Sequence, residues 1–281
     1  MASRPLIILG FGYTAQWIYR FALEQSLTVF ATSRLPDLHL SQVEPTARLR
    51  FDLSDEATWG NLPLEADWIW TFPAAPLKLV QAFARHCCHP SQRLVVLSST
   101  SAYDLDRDRT AWPPPWLDET APINRTLPRV QGEEYLRNEH GATILRVAGI
   151  YGPGRNPVDW IEQGRVGPTK KFVNLIHVED LAKLSLLSLR EGLQGDTYNV
   201  SDGQPRQWSD ICAEVARRWR IVSPRDHRED EAGKRISHEK ILARFRYRLQ
   251  YPDLLAALEG LQRSSVSVRE PVPRHIPTHT G

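Results

Sequence analysis

Two glycines placed just after an apolar run are the residues of this chain whose type and spacing most directly suggest chemistry. Leu6-Ile7-Ile8-Leu9 is a strand's worth of branched apolar side chains. It runs straight into Gly10-Phe11-Gly12-Tyr13-Thr14-Ala15, a Gly-x-Gly-x-x-Ala turn that opens a helix over about 14–25. Gly10 permits the tight turn, Gly12 lets the backbone approach a pyrophosphate, and Ala15 is small enough for the helix to pack on the strand. The helix start offers free N–H groups and the positive end of its dipole to phosphates. A glycine pattern alone is weak. The strand before it and the amphipathic helix after it make this a dinucleotide-binding arrangement, against the alternative of a similar turn that holds no ligand.

The next chemically informative pair is Ser33-Arg34, at the end of the second apolar run. An NAD site usually carries a carboxylate there for the ribose 2′-hydroxyl. A hydroxyl followed by a guanidinium suits a 2′-phosphate instead, because Arg offers planar bidentate hydrogen bonds to phosphate oxygens. NADP is therefore expected over NAD, the alternative for Arg34 being a surface loop position. Asp52-Leu53 lies where a short acidic turn can meet an adenine ring. Phe72-Pro73-Ala74 and Ser98 follow later runs and leave room for the rest of a cofactor over the sheet edge.

These residues need a scaffold that brings the ends of several strands together. Apolar runs at 28–32, 47–51, 68–72, 94–98, 143–147 and 197–200 alternate with helical patterns at 77–88, 127–140, 178–190 and 208–219. That alternation predicts an α/β fold, a Rossmann-type doubly wound parallel sheet covered on both faces by helices. Residues 1–150 read as the dinucleotide-binding core. Residues 151–263 read as a mixed region that completes the sheet and forms a small substrate-side lid. Three prolines and few apolar residues mark 264–281 as a disordered or loosely draped tail.

Composition bounds the remaining possibilities. The 281 residues are 41% hydrophobic and 24% charged, with a formal net charge of +2, which is ordinary for a globular protein and too near neutral for an electrostatic nucleic-acid binder. No apolar stretch reaches membrane-spanning length and the start does not read as a signal peptide. Cys87, Cys88 and Cys212 have no paired spacing and read as buried thiols of a reducing compartment, so the cytoplasm is expected and no metal site. Residues 206–248 carry twelve Lys/Arg against seven acidic residues. That stretch could attract a phosphorylated substrate, but such runs are usually solvated helix faces.

Five further segments carry a family resemblance together with the glycine turn. They are Leu97-Ser98-Ser99-Thr100-Ser101-Ala102-Tyr103, the Leu145 to Gly154 run ending Tyr151-Gly152-Pro153-Gly154, Ile176-His177-Val178-Glu179-Asp180-Leu181, Tyr198-Asn199-Val200-Ser201-Asp202, and Lys234 to Lys240 with Tyr251-Pro252. The chain resembles the extended short-chain dehydrogenase/reductase superfamily, in particular its atypical NAD-dependent epimerase/dehydratase-like branch, over residues 5–260. The resemblance implies a Ser or Thr after the fifth strand, here Thr100, and a Tyr-x-x-x-Lys pair on the next helix. Aligning Gly132-Glu133 with the family pattern puts Arg125 and Arg129 at the Tyr and Lys positions. A guanidinium stays protonated and cannot replace a phenol as proton donor, although Arg129 could hold a ribose or phosphate.

Tyr103 and His177 are the candidates to take over the missing proton transfer. Tyr103 corresponds to an additional tyrosine of the family, and His177 is either a proton shuttle or a hydrogen-bonded structural histidine. Arg146 is expected on the substrate side. The loop Trp112-Pro113-Pro114-Pro115-Trp116 could be an aromatic wall, a docking surface for a protein partner or second copy, or a rigid packed loop. Two functions remain open: an NADP-dependent oxidoreductase or epimerase-like enzyme acting on an unidentified small molecule, and a catalytically inactive NADP-binding scaffold or regulator.

Overall fold

Alternation along the first strand decides where everything else packs. In β1 (Leu6–Leu9) all four side chains are buried, Leu6 and Ile8 toward one face, Ile7 and Leu9 toward the other. The computed structural model describes residues 4–105, 111–224 and 232–269. From β1 the chain passes through α1 (Tyr13–Glu24), β2 (Val29–Ser33), the short α2 (Pro36–His39), β3 (Arg48–Arg50), β4 (Asp67–Trp70), α3 (Leu77–Cys87) and β5 (Leu94–Ser99). Then come β6 (Trp116–Leu117), α4 (Pro128–His140), β7 (Thr143–Val147), β8 (Gly149–Tyr151), α5 (Pro157–Glu162), β9 (Phe172–Val173), β10 (Leu175–His177) and α6 (Val178–Glu191). The last elements are β11 (Thr197–Val200), β12 (Arg206–Gln207), α7 (Trp208–Trp219), β13 (Arg235–Ile236), α8 (Glu239–Phe245) and α9 (Leu254–Arg269).

The main sheet has seven strands in the order β11-β7-β5-β4-β1-β2-β3, and every neighbouring pair is parallel. This is the expected doubly wound α/β architecture. Strand order reverses between β1 and β4, whose ends Leu9 and Trp70 lie side by side. That switch point opens a crevice beyond the carboxyl ends of the strands. One face is covered by α1, α6 and α8, and the other by α3 and α4 around Trp68, Trp70 and Phe83. A third apolar cluster, built by Tyr151, Trp208, Ile211, Val215, Leu254 and Leu258, joins α5, α7 and α9 beside the sheet. No helix among the described residues is long and apolar enough to cross a membrane.

Differences from the sequence expectations have local causes. The strand of the run 68–72 ends at Trp70; beyond it the Thr71 amide donates to the Leu9 carbonyl and its hydroxyl reaches the Leu9 and Gly10 carbonyls. Helix α9 continues through Arg269, so the tail expected from Ser264 is helical over 264–269, the Ser264 hydroxyl bonding back to the Gly260 carbonyl; residues 270–281 lie outside the described residues. In the basic stretch, Arg206 pairs with Asp202, Arg217 and Arg218 with Glu214, and Lys240 with Asp196. Its residues 225–231 also lie outside the described residues. Cys87, Cys88 and Cys212 are free thiols pushed up to about 11, 12 and 11 by burial.

Helix α4 lies unusually close to the turn after β4. A Cβ on Gly132 would sit 1.8 Å from the Ala74 carbonyl oxygen. Gly132→Ala would gain about 1 kcal/mol of helix propensity, yet the overlap forces α4 or the turn to move, and overpacking of this kind costs about 1–3 kcal/mol. The expected outcome is a lower urea midpoint with an unchanged slope; a variant as stable as the parent would contradict the close approach.

Candidate functional site

The glycine turn begins with a conformation that its first residue must supply. Gly10 has φ +84°, and a Cβ there would meet Phe72 Cδ1 at 2.9 Å and Thr71 Oγ1 at 3.1 Å. Its amide donates to Thr32 Oγ1 at 2.9 Å, which anchors the turn to β2. Gly12 differs: nothing lies within 4 Å of the position its Cβ would take, and the space above it is open. Gly12 is also the N-cap of α1, with no side-chain cap and no acidic residue in the first turn. The helix therefore presents uncapped N–H groups to the crevice. Ala15 is fully buried where α1 meets the sheet.

Two clefts meet at Phe72. The first, of about 540 Å³, is lined by Gly10, Phe11, Ser33, Arg34, His39, Asp52, Leu53 and Phe72, among others. Ser33 Oγ lies 2.9 Å from His39 Nδ1 and accepts the Leu35 amide, while Arg34 makes no hydrogen bond or ion pair among the described residues. The Asp52 carboxylate accepts from the Ser54 amide and hydroxyl, which hold it below the usual range, with Arg34 and Arg50 adding to the effect.

The second cleft, of about 260 Å³, is lined by Thr14, Thr71–Ala74, Val96–Ser99, Arg129, Glu133 and Val147, Ala148 and Ile150. Ser98 donates to Glu133, whose other oxygen receives Arg146 at 3.2 Å. Glu133 is wholly buried, and burial pushes its carboxyl up while Ser98 and Arg146 pull it back. Sequence reasoning used Glu133 only to align the helix. The available signal was its place four residues after Arg129, on the same face of α4. His39 and Ser54 were also missed, since neither belongs to the motif that locates the cleft.

Several residues expected at the site lie elsewhere. After β5 the chain turns into a 3-10 segment, Thr100–Tyr103, in which Thr100 and Tyr103 are buried and line neither cleft. Tyr103 is 2% exposed; its hydroxyl donates to Asn199 Oδ1 at 2.7 Å and accepts from Arg146 at 3.3 Å, and burial raises it. Arg146, expected on the substrate side, is a buried partner of Glu133 and Glu134. Arg125 precedes α4 and turns to Glu134, at a separate polar cleft, so of the two arginines only Arg129 faces the crevice. The Tyr13 ring leans away to the Pro153 carbonyl, 3.0 Å from its hydroxyl. Trp112 packs on Phe172, and Trp116 lies under Arg235 in the small β6–β13 ladder.

His177 caps α6, its Nδ1 accepting the Glu179 amide, and it is stacked on Tyr251 with centroids 3.6 Å apart. It lines neither cleft. Burial, helped by the Lys183 ammonium, lowers it to about 4. The unfolded chain, with the ordinary value near 6.5, takes up this proton first, so acidification from about pH 6.5 to 4 favours unfolding. About 2–3 kcal/mol of stability should be lost across that window through this group. His177→Asn keeps a cap acceptor and cannot titrate, so urea unfolding at pH 7, 5.5 and 4.5 should show a shallower pH dependence in the variant; equal slopes would contradict the assignment.

No protein-family model matches the chain. Over 178 residues it is 31% identical to Protein YeeZ of Escherichia coli, in strain K12 and in O157:H7, a match that covers 59% of this chain and 61% of the length of those relatives. A functionally unknown conserved protein from Silicibacter pomeroyi superposes with a TM-score of 0.74 at 24% identity, covering 93% of this chain and 99% of that one. A short-chain dehydrogenase/reductase superfamily protein from Agrobacterium tumefaciens with bound NAD gives 0.74 at 13% identity, covering 95% and 100%. UDP-N-acetylglucosamine 4-epimerase from Bacillus cereus gives 0.71 at 15% identity, covering 93% and 99%. The chain thus has the fold of the extended short-chain dehydrogenase/reductase proteins, the fold shared by NAD-dependent epimerases and dehydratases.

Proposed function

We propose that this chain is an NADP(H)-binding protein of the short-chain dehydrogenase/reductase superfamily, an oxidoreductase or epimerase-like enzyme with a non-standard active site. The observation that carries the reading is the open space over Gly12 at the uncapped start of α1. Those N–H groups suit a pyrophosphate. The first cleft suits the adenosine end: Arg34 and Ser33 stand where an NAD site would have a carboxylate, and an unpaired guanidinium there favours a 2′-phosphate. The second cleft suits the nicotinamide end. Bound nicotinamide would supply a hydride to, or accept one from, a carbonyl or alcohol carbon.

The chain's own groups do less at that end than the family pattern implies. Thr100 and Tyr103, the expected anchor and acid, are both buried, and the Tyr103 hydroxyl is already engaged. Among the groups lining the second cleft, Glu133 can exchange a proton, but Ser98 and Arg146 hold it. These observations favour a second reading, a non-catalytic NADP-binding scaffold or regulator. Positioned general acid–base catalysis is worth about 10²–10⁴ in rate, so turnover without it should be slow.

Gly12→Val should remain folded, since its Cβ meets nothing, while NADPH binding is abolished. Arg34→Asp should weaken NADPH selectively over NADH by about 1.5–3 kcal/mol. Fluorescence titration decides both: unchanged affinity in folded Gly12→Val places any cofactor elsewhere, and equal wild-type affinities for the two cofactors remove the NADP preference. A carbonyl panel with NADPH tests activity. Low turnover that survives Tyr103→Phe fits the enzyme reading with a buried tyrosine, a flat panel with tight NADPH binding selects the scaffold reading, and strict dependence on the Tyr103 hydroxyl without loss of stability would restore it as the acid.

A further inference from the structure

The second cleft holds an unbalanced charge. Its lining carries two charged residues, Arg129 and Glu133, and the rest is mostly apolar: Phe72, Pro73, Ala74, Val96, Leu97, Val147, Ala148 and Ile150, with Thr14, Thr71, Ser98 and Ser99. The two sit four residues apart on α4, the spacing at which an Arg and a Glu commonly pair. They do not pair here. Both Glu133 oxygens are taken, one by Ser98 and the other by Arg146, which is itself 3% exposed. Arg129 is half-buried, and among the described residues its guanidinium has no hydrogen bond, ion pair or ring contact. With Glu133 compensated by Arg146, which lies outside the lining, the Arg129 guanidinium is left as one unbalanced positive charge beside apolar walls, where a counter-anion is favoured.

We propose that Arg129 receives the anionic group of a small substrate, a carboxylate or phosphate, at the inner end of the crevice. This rests on the dinucleotide reading for the identity of the neighbouring ligand. Arg129 offers two parallel N–H donors to a planar carboxylate or to phosphate oxygens. Ser99 and Thr14 also line the cleft and carry hydroxyl groups. The nicotinamide end of the dinucleotide would share this cleft of about 260 Å³, so only a compact anionic hydroxy or oxo compound fits beside it. The same guanidinium chemistry could take a phosphate of the cofactor instead, and the experiment separates the two sources.

Oxalate serves as an unreactive dianionic probe and its neutral diamide, oxamide, as the shape control. Each is titrated by calorimetry into the full chain, with and without saturating NADPH, in the wild type and in Arg129→Gln, Arg129→Lys and Arg125→Gln. Oxalate should bind the wild type and oxamide should not. Arg129→Gln should lose about tenfold or more of the oxalate affinity, the scale of one charge-assisted hydrogen bond, Arg129→Lys should lose less, and Arg125→Gln should match the wild type. NADPH affinity should stay within about threefold in Arg129→Gln, less than such a bond is worth. Equal oxalate binding by wild type and Arg129→Gln overturns the proposal, as does absence of oxalate binding in both cofactor states. A loss of NADPH affinity in Arg129→Gln as large as the loss for oxalate assigns the guanidinium to the cofactor and also overturns it. Arg129-dependent oxalate binding in a protein that fails to bind NADPH leaves the anion site standing and removes the dinucleotide reading.

Discussion

The buried ion pair between Glu133 and Arg146 is the interaction on which the inner half of the crevice depends. Glu133 belongs to α4 and Arg146 to β7, and both are almost completely removed from water. The pair ties in Ser98 at the end of β5 and, through the Tyr103 hydroxyl, Asn199 of β11. Helix α4 and the three adjacent strands β5, β7 and β11 are thereby cross-linked by side chains. Removing one partner of such a pair typically costs about 3–5 kcal/mol, because the other charge stays buried without compensation. The arrangement fixes the rotation of α4, and that rotation turns Arg129 toward the crevice, while Arg125 lies before the helix and pairs with Glu134.

The close approach of α4 to the β4 turn works with this pair. Gly132, beside Glu133, lets the helix press against Ala74. The carboxylate can then reach Ser98 and Arg146, and Phe72 becomes a wall shared by both clefts, with Pro73 and Ala74 lining the inner one. A bulkier residue at 132 would lift the helix and leave Glu133 short of its partners. Close packing and a buried charge pair thus support one another across neighbouring positions of one helix.

Much of the glycine-turn half of the crevice was legible in the sequence because its signals are local. The glycine turn, the strand before it and the end of β2 lie within thirty or so residues, and the periodicity of β1, α1 and β2 matches the fold to within one residue. The inner half was harder to read because its decisive contacts are distant in sequence. Tyr103 meets Arg146 and Asn199, 43 and 96 residues further on, and no spacing rule foretells that its hydroxyl will be consumed there. The ladders β6–β13 and β9–β12 are two residues per strand, too short to leave a period. Among the short helices, α2 and α5 did carry a usable sign in Pro36 and Pro157 at their first turns.

The charges left over after this internal pairing define what the crevice can hold. Arg34 at one end and Arg129 at the other are unpaired among the described residues, and the uncapped start of α1 lies between them. Three positive features along a groove with apolar walls suit an elongated ligand with separated negative groups, each of which gains from the reduced dielectric. Guanidinium groups offer a fixed fork of N–H donors and no acceptor. A crevice whose unpaired charges are guanidinium groups is therefore suited to hold anions and supplies no proton of its own through them. Any chemistry it performs has to take that proton from the substrate, from water, or from the carboxyl that α4 keeps locked against Arg146.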